Sequence, residues 1–333
     1  MRTHFHVIVI TTAGACGLLF ACAVTTTNVP VGNDAGASPP IDSSPPDAGP
    51  DADDAGIDTA RPQAFVRVAH WSPDAPALDV CFAQQGAGWA GQVPQIAQIA
   101  AATDAGSPGD GGTMGFAFPQ VTSYLVISPG SYDVRLVTAG AADCSTSVVD
   151  LDALTLTANT YTTVAAVGEQ TPVSGDQPLT LVSFTDEVGA PAAQIALRFV
   201  NASPASSQTT FDLGTGSLAG TGGPFAPLFT GVAFGQTGSV AGSDAGTVDA
   251  NGYIAENPFM TATLSAHPSA SASDATVAVN DVSISATSAA TVALVGGVSN
   301  GQASSGVKLL QCADADDPTG TSLLSTCSII STQ

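Results

Sequence analysis

Basic residues are scarce: six in 333, of which five are arginine and one is Lys308. Glutamate is as rare, since 25 of the 28 acidic residues are aspartate and only Glu169, Glu187 and Glu256 differ. Without Glu and Lys the chain lacks the charged residues that favour helices, and Thr, Val, Ser, Gly and Ala favour strands and turns instead. A net charge of −22 excludes the phosphate backbone as an attractive surface, so nucleic acid is not an expected partner. No apolar run is long enough to cross a membrane as a helix. The longest, Val7 to Phe20, has 14 residues and is interrupted by two threonines, against about 20 for a span.

That run does suit an export signal. Arg2, His4 and His6 make a short polar start, and the apolar stretch ends at "LLFAC", Leu18 to Cys22. The ending resembles the lipobox of bacterial lipoproteins, with Leu19 three residues before the cysteine and Ala21 next to it; Phe20 departs from that pattern. The resemblance implies a signal peptide over 1–22, lipid on Cys22 and a membrane contact through the anchor. In a Gram-negative cell, Ala23 after the cysteine implies the outer membrane, on its periplasmic side or at the cell surface. Residues 23–62 read as a disordered Asp/Pro/Ala/Gly linker. "NDAGASPPIDSSPPDAGPDADDAGIDTARP" has no aromatic residue and cannot bury enough apolar surface to offset its ordering entropy. Its "DADDAG" is not a calcium loop, because counting from Asp51 places Ala55 and Pro62 at the fifth and twelfth positions, where oxygen ligands are needed.

If Cys16 leaves with the signal and Cys22 takes lipid, four cysteines remain: Cys81, Cys144, Cys312 and Cys327. An even number in an exported chain points to disulfides, with three possible pairings. The sequence-local one, Cys81–Cys144 with Cys312–Cys327, is favoured. A metal site is not expected, since no Cys-x-x-Cys spacing or nearby histidine supports one, and no cofactor is implied.

From residue 63 apolar residues alternate or run in blocks broken by Gly, Pro, Asn and Asp. Strands are predicted at Phe65–His70, Leu78–Phe82, Tyr124–Ile127, Gly130–Thr138, Val148–Leu151, Ala153–Ala158 and Tyr161–Gly168. Between them, residues 85 to 115 form a Gly-rich insertion in which "QIAQIAAAT" is a short-helix candidate. The order then recurs. "LRFVNASP" from Leu197 repeats "VRVAHWSP" from Val66, placing Arg198 on Arg67, Ser203 on Ser72 and Pro204 on Pro73. "AATVALVGG" repeats "YTTVAAVGE", placing Thr291 on Thr163 and Gly296 on Gly168. A shared order at nearly fixed spacing indicates duplication. The expected fold is all-β: two tandem antiparallel, immunoglobulin-like β-sandwiches over 63–186 and 193–300, then a strand and disulfide-closed loop over 301–333.

The duplication also tests the cluster at the start of the first copy. His70, Ser72, Pro73 and Asp74 have the types a catalytic site would use. Their counterparts are Asn201, Ser203, Pro204 and Ala205. Asn is no general base, and alanine has no carboxylate. What the copies share is turn chemistry, in which His or Asn bonds backbone groups and Pro fixes φ. No Gly-x-Ser-x-Gly elbow accompanies it. Arg67 and Arg198 are read as sheet-face arginines held by a local carboxylate or carbonyl, and Asp314, Asp316 and Asp317 as a solvated turn. Trp71 is expected to be buried, and Trp89 is left open.

"VRVAHWSPDAPALDVCF", "YLVISPGSYDVRLVTAG" and "LTLTANTYTTVAAVGE" resemble successive motifs of domain-of-unknown-function family 4397. The resemblance covers 64–186 closely and 193–300 more loosely, since the second copy lacks Asp-Ala-Pro after Ser-Pro and the "PGSY" turn. It implies an extracellular β-sandwich and no catalytic residues. The expectation is a non-enzymatic surface lipoprotein that binds a surface glycan or protein, or has an envelope-structural role. The alternatives are a secreted hydrolase, or accessory module of one, using the His70/Asp74 region, and a calcium-dependent adhesion module.

Overall fold

The computed structural model describes residues 62–96, 115–173, 175–204, 210–216, 224–238, 247–269, 277–297, 306–314 and 327–330. The expected signal with Cys22, the expected linker up to Arg61, most of the helix candidate after Ile96, and Asp316 and Asp317 lie outside the described residues.

Seven strands form the first half: β1 (Ala64–His70), β2 (Leu78–Gln84), β3 (Leu125–Ile127), β4 (Gly130–Thr138), β5 (Val149–Leu156), β6 (Tyr161–Val167) and β7 (Thr180–Asp186). They make two sheets, ordered β3-β1-β6-β7 and β2-β4-β5. Nine follow: β8 (Ile195–Asn201), β9 (Phe211–Thr215), β10 (Ala226–Val232), β11 (Tyr253–Glu256), β12 (Phe259–Pro268), β13 (Val277–Ile284), β14 (Ala289–Val295), β15 (Lys308–Ala313) and β16 (Ser328–Ile329). Their sheets run β11-β8-β14-β15-β16 and β10-β9-β12-β13. The fold is all-β, as expected, but two of the sheets are not purely antiparallel. β1 lies parallel to β6 and β8 parallel to β14. Each such pair is joined by chain that crosses to the facing sheet and back, which is what parallel neighbours require.

Period-two alternation explains why β1, β6, β8 and β14 are apolar nearly throughout. Val66, Val68, Val164 and Ala166 face β2-β4-β5 in one core, while Leu197, Phe199, Val292 and Leu294 face β10-β9-β12-β13 in another. The opposite faces of the same strands, Ala69, Ala165, Val167, Val200, Ala293 and Val295, join a third core with Trp71. The two mixed sheets therefore pack against each other, and a strand buried on both faces reads as a continuous apolar run.

The two halves share backbone features at one sequence offset. Left-handed residues recur 128 positions apart: Ala153 at φ 58° with Asp281 at 59°, and Asn159 at 60° with Thr287 at 66°. Ala153 corrects one expectation. The two strands predicted at Val148–Leu151 and Ala153–Ala158 are one strand, β5, with its register shifted opposite Tyr132 to Val134. The Ala153 N–H donates to the Asp133 carboxylate at 3.1 Å, so the polar stretch is a bulge and not a turn. β15 corrects another. It pairs with β14 as β7 pairs with β6, so the second sandwich extends past residue 300.

Candidate functional site

The residues singled out in the sequence are placed by the turns that follow β1 and β8. His70 ends β1 with its ring buried against Phe116, centroids 5.9 Å apart, and its Nε2 donates to Pro76 O at 2.8 Å. Burial holds its pKa below the ordinary histidine value. Asn201, its counterpart, donates from Nδ2 to Val232 O at 3.0 Å. Ser203 Oγ donates to Gly296 O at 2.6 Å, and Pro204 is buried behind it. Ser72 is buried and its Oγ stands 3.4 Å from Asp74 Oδ1, with Pro73 between them half-buried. Asp74 accepts from the Gln170 and Thr171 N–H groups at 2.7 and 2.9 Å and from Thr171 Oγ1 at 2.8 Å. Asp79 turns to other groups, the N–H of Val80 at 2.6 Å and of Ile96 at 2.9 Å. The imidazole and the two carboxylates each hold a different piece of backbone.

A serine–histidine contact elsewhere was not foreseen. Ser265 and His267, both buried on β12, have Oγ and Nε2 2.9 Å apart. Ser265 also bonds Gly216 O at 2.7 Å, and a carbonyl can only accept. The single hydroxyl proton is thus used there, and His267 Nε2 must be the donor to Oγ. An activated nucleophile needs the reverse.

The arginines carry the largest surprise. Each belongs to one half of the chain and pairs with a carboxylate of the other. Arg67 donates from Nε to Thr163 Oγ1 at 2.8 Å, from Nη1 to Ala313 O at 2.7 Å and from Nη2 to Asp314 Oδ1. Arg198 donates from Nε to Thr291 Oγ1 at 3.0 Å, from Nη1 to Thr185 O at 2.8 Å and from Nη2 to Asp186 Oδ1. Asp186 also accepts from Tyr124 and Thr163 at 2.8 and 2.6 Å; Asp314 accepts from Tyr253 and Thr291, both at 2.7 Å. The tyrosine rings lie under the guanidinium groups, 4.9 Å from Arg67 and 4.6 Å from Arg198. The set is reciprocal, one copy of each contact running in each direction. Burial alone would lower the arginine pKa values, but the facing carboxylates overcome it and raise both. The same charges hold Asp186 below the usual carboxylate range against burial, and burial with the Asp314 charge pushes Tyr253 well up.

Two expectations fall here. Each arginine bonds a carboxylate and a carbonyl, as read, but the carboxylate of Arg67 is 247 residues away and not local, and Asp314 is buried in this lock, not in a solvated turn. Asp186, the last residue of the expected first sandwich, closes β7. The signal was present, since Asp314 follows Asp186 at the 128-residue offset that relates Thr291 to Thr163.

Cysteines 81 and 144 are bonded, as are 312 and 327, 63 and 15 residues apart. Among the described residues no group of three or more His, Cys, Asp or Glu is set to hold a metal ion. Trp71 is buried, and Trp89 is half-buried under Arg135, whose guanidinium lies 4.4 Å from its ring. Among the described residues, two uncharged clefts lie at the surface. One of about 430 Å³ lies beside β3 over Phe82 and Tyr132, with Gln84, Gln92 and Gln95 at its rim. The other, about 470 Å³, lies along β7 and is closed by Gly235–Thr237 and Asn251 of the second half. Both have the size of small-ligand or peptide sites.

Residues 64–210 match the model of a domain of unknown function, DUF4397. The match takes in β1 to β8, under half of the chain, and amounts to one domain. No curated protein matches the chain.

Proposed function

We propose that this is an exported lipoprotein, anchored through Cys22 and spaced from the membrane by residues 23–62, whose paired sandwiches have a non-enzymatic binding or envelope-structural role. In this reading the second half is a diverged second copy of the matched domain. The observation that carries it is how the polar groups of the interior are used. His70, Asp74, Asp79, Ser265 and the Arg67/Arg198 set are each committed to backbone or to one another. The surface instead offers two uncharged clefts with amide and hydroxyl rims, suited to a surface glycan or a protein segment.

The test is intact mass spectrometry of the protein from its native host, with and without reduction. The expected result is a chain beginning at a lipid-modified Cys22, with four cysteines masked until reduction. An unlipidated N-terminus ahead of or beyond Cys22 overturns the anchored reading. Substrate turnover by the purified chain that disappears in His70→Ala overturns the non-enzymatic one.

A further inference from the structure

The two halves differ at one equivalent edge. Among the described residues β7 is paired on one side only, by β6. Thr160 O and Ala166 O accept from the N–H groups of Phe65 and Trp71, so the even-numbered residues of β6 are directed to β1 and the odd-numbered ones to β7. Thr163 is registered with Phe184 and Ala165 with Val182. Val182 and Phe184 therefore carry the bonds to β6, and the backbone groups of Leu181, Ser183 and Thr185 point out of the sheet. Thr185 O is taken by Arg198. The outward N–H and C=O of Ser183 and the C=O of Leu181 bond no described residue.

On β15 the corresponding residues are Leu309, Gln311 and Ala313, each 128 positions on. Ala313 O is taken by Arg67, as Thr185 O is by Arg198. The rest of that edge is covered. β16 pairs Ser328 with Gln311, and the Ile330 N–H donates to Leu309 O at 3.0 Å. The 470 Å³ cleft lies where a strand on β7 would run. Its lining is uncharged, with Ser183, Thr185, Gln236, Thr237 and Asn251 supplying polar groups. A purely apolar ligand would bury those groups and the free backbone unpaired, which is unfavourable. An added strand satisfies them in order. Asn251 donates to Glu187 at 2.7 Å, placing a carboxylate at one end of the cleft, and the net charge of −22 steers positive segments towards it.

We propose that the open edge of β7 docks an extended, cationic segment of a partner protein, which adds to the sheet as β16 adds to β15. This rests on the binding reading above. The probe is a synthetic peptide, Lys-Lys-Ser-Ile-Ile-Ser-Lys-Lys, titrated into the full chain while amide exchange at Ser183 is followed. Saturable binding with slowed exchange at Ser183 is expected. Ser183→Pro removes the outward N–H and the hydroxyl at a place where an edge strand tolerates proline; Ser183→Ala, which removes the hydroxyl alone, is its reference, and the melting temperatures check folding. Ser183→Pro should weaken the peptide about tenfold against that reference, the worth of one main-chain hydrogen bond. Replacing the four lysines by glutamate should weaken it further. No saturable binding, equal affinity for Ser183→Pro and Ser183→Ala, or slowed exchange with maltopentaose in place of the peptide would each overturn the proposal. If the peptide fails while the native protein still carries lipid on Cys22, the docking site falls and the anchored reading stands.

Discussion

Asp186 is the residue on which most of the buried charge depends. It faces Arg198 directly and Arg67 Nε at 3.7 Å, and both guanidinium groups are fully buried. Removing one partner of such a set leaves an uncompensated charge in a low-dielectric interior. Asp186→Asn should cost roughly 3–5 kcal/mol, read as a lower urea midpoint. The pH dependence follows from the lowered pKa. A carboxyl whose folded value lies below its unfolded one, near 3.8, stabilises fully above that value. The contribution is lost as pH falls below it. The wild-type chain should therefore lose stability below about pH 4 more steeply than the Asn variant. Equal slopes would place the charge elsewhere. His70 has the opposite charge type but the same sense: held neutral by burial, it stabilises above pH 6.5 and less as pH drops through that value. In sequence only half of this was legible. Arg67 and Arg198 stood out because charge is rare and they repeat. Asp186 and Asp314 were marked among 25 aspartates only by their shared 128-residue offset, and nothing local says that residue 67 meets residue 314.

At the level of elements, the strands were legible because alternation with turn punctuation is local information. β4 matches its predicted range of Gly130–Thr138. The parallel placement of β1 and the bulge in β5 were not, because they depend on which strand arrives beside which. Equivalent positions in the two halves also offer an internal standard for a turn. Asn159 and Thr287 occupy the same left-handed position. Their N–H groups donate to Gln63 O and Gln194 O, at 2.7 and 2.6 Å. Asparagine tolerates that backbone, whereas a β-branched threonine resists it. Thr287→Asn should therefore stabilise the chain by about 0.5–1 kcal/mol, visible as a rise of a few degrees in Tm. An unchanged or lower Tm would mean that the Thr287 hydroxyl, which donates to Ala286 O at 2.6 Å, matters more than the backbone.

The whole molecule behaves as two sandwiches sharing a third core. Trp71, Val167, Val200, Val295 and Leu310 close the seam with apolar surface, and the reciprocal arginines cross it at two places. Of the four arginines after Cys22, Arg67, Arg135 and Arg198 are paired with aspartates. Only the Arg135–Asp150 pair is at the surface, where salt screens it and its worth is small. Neither half should then unfold alone, since its mixed sheet would expose an apolar face and strand a buried charge. Calorimetry of the chain should give one transition whose van't Hoff and calorimetric enthalpies agree. Adding 1 M NaCl should leave it single, because buried pairs are little screened. The double variant Asp186→Asn/Asp314→Asn removes both carboxylates and keeps each sandwich's own core and disulfide. It should split the transition into two, and the half with Cys81–Cys144 should melt higher, because closing the longer loop removes more unfolded-state entropy. Two transitions in the unaltered chain would show that the apolar seam and the ion pairs together do not couple the halves. A single one in the double variant would assign the coupling to the seam alone.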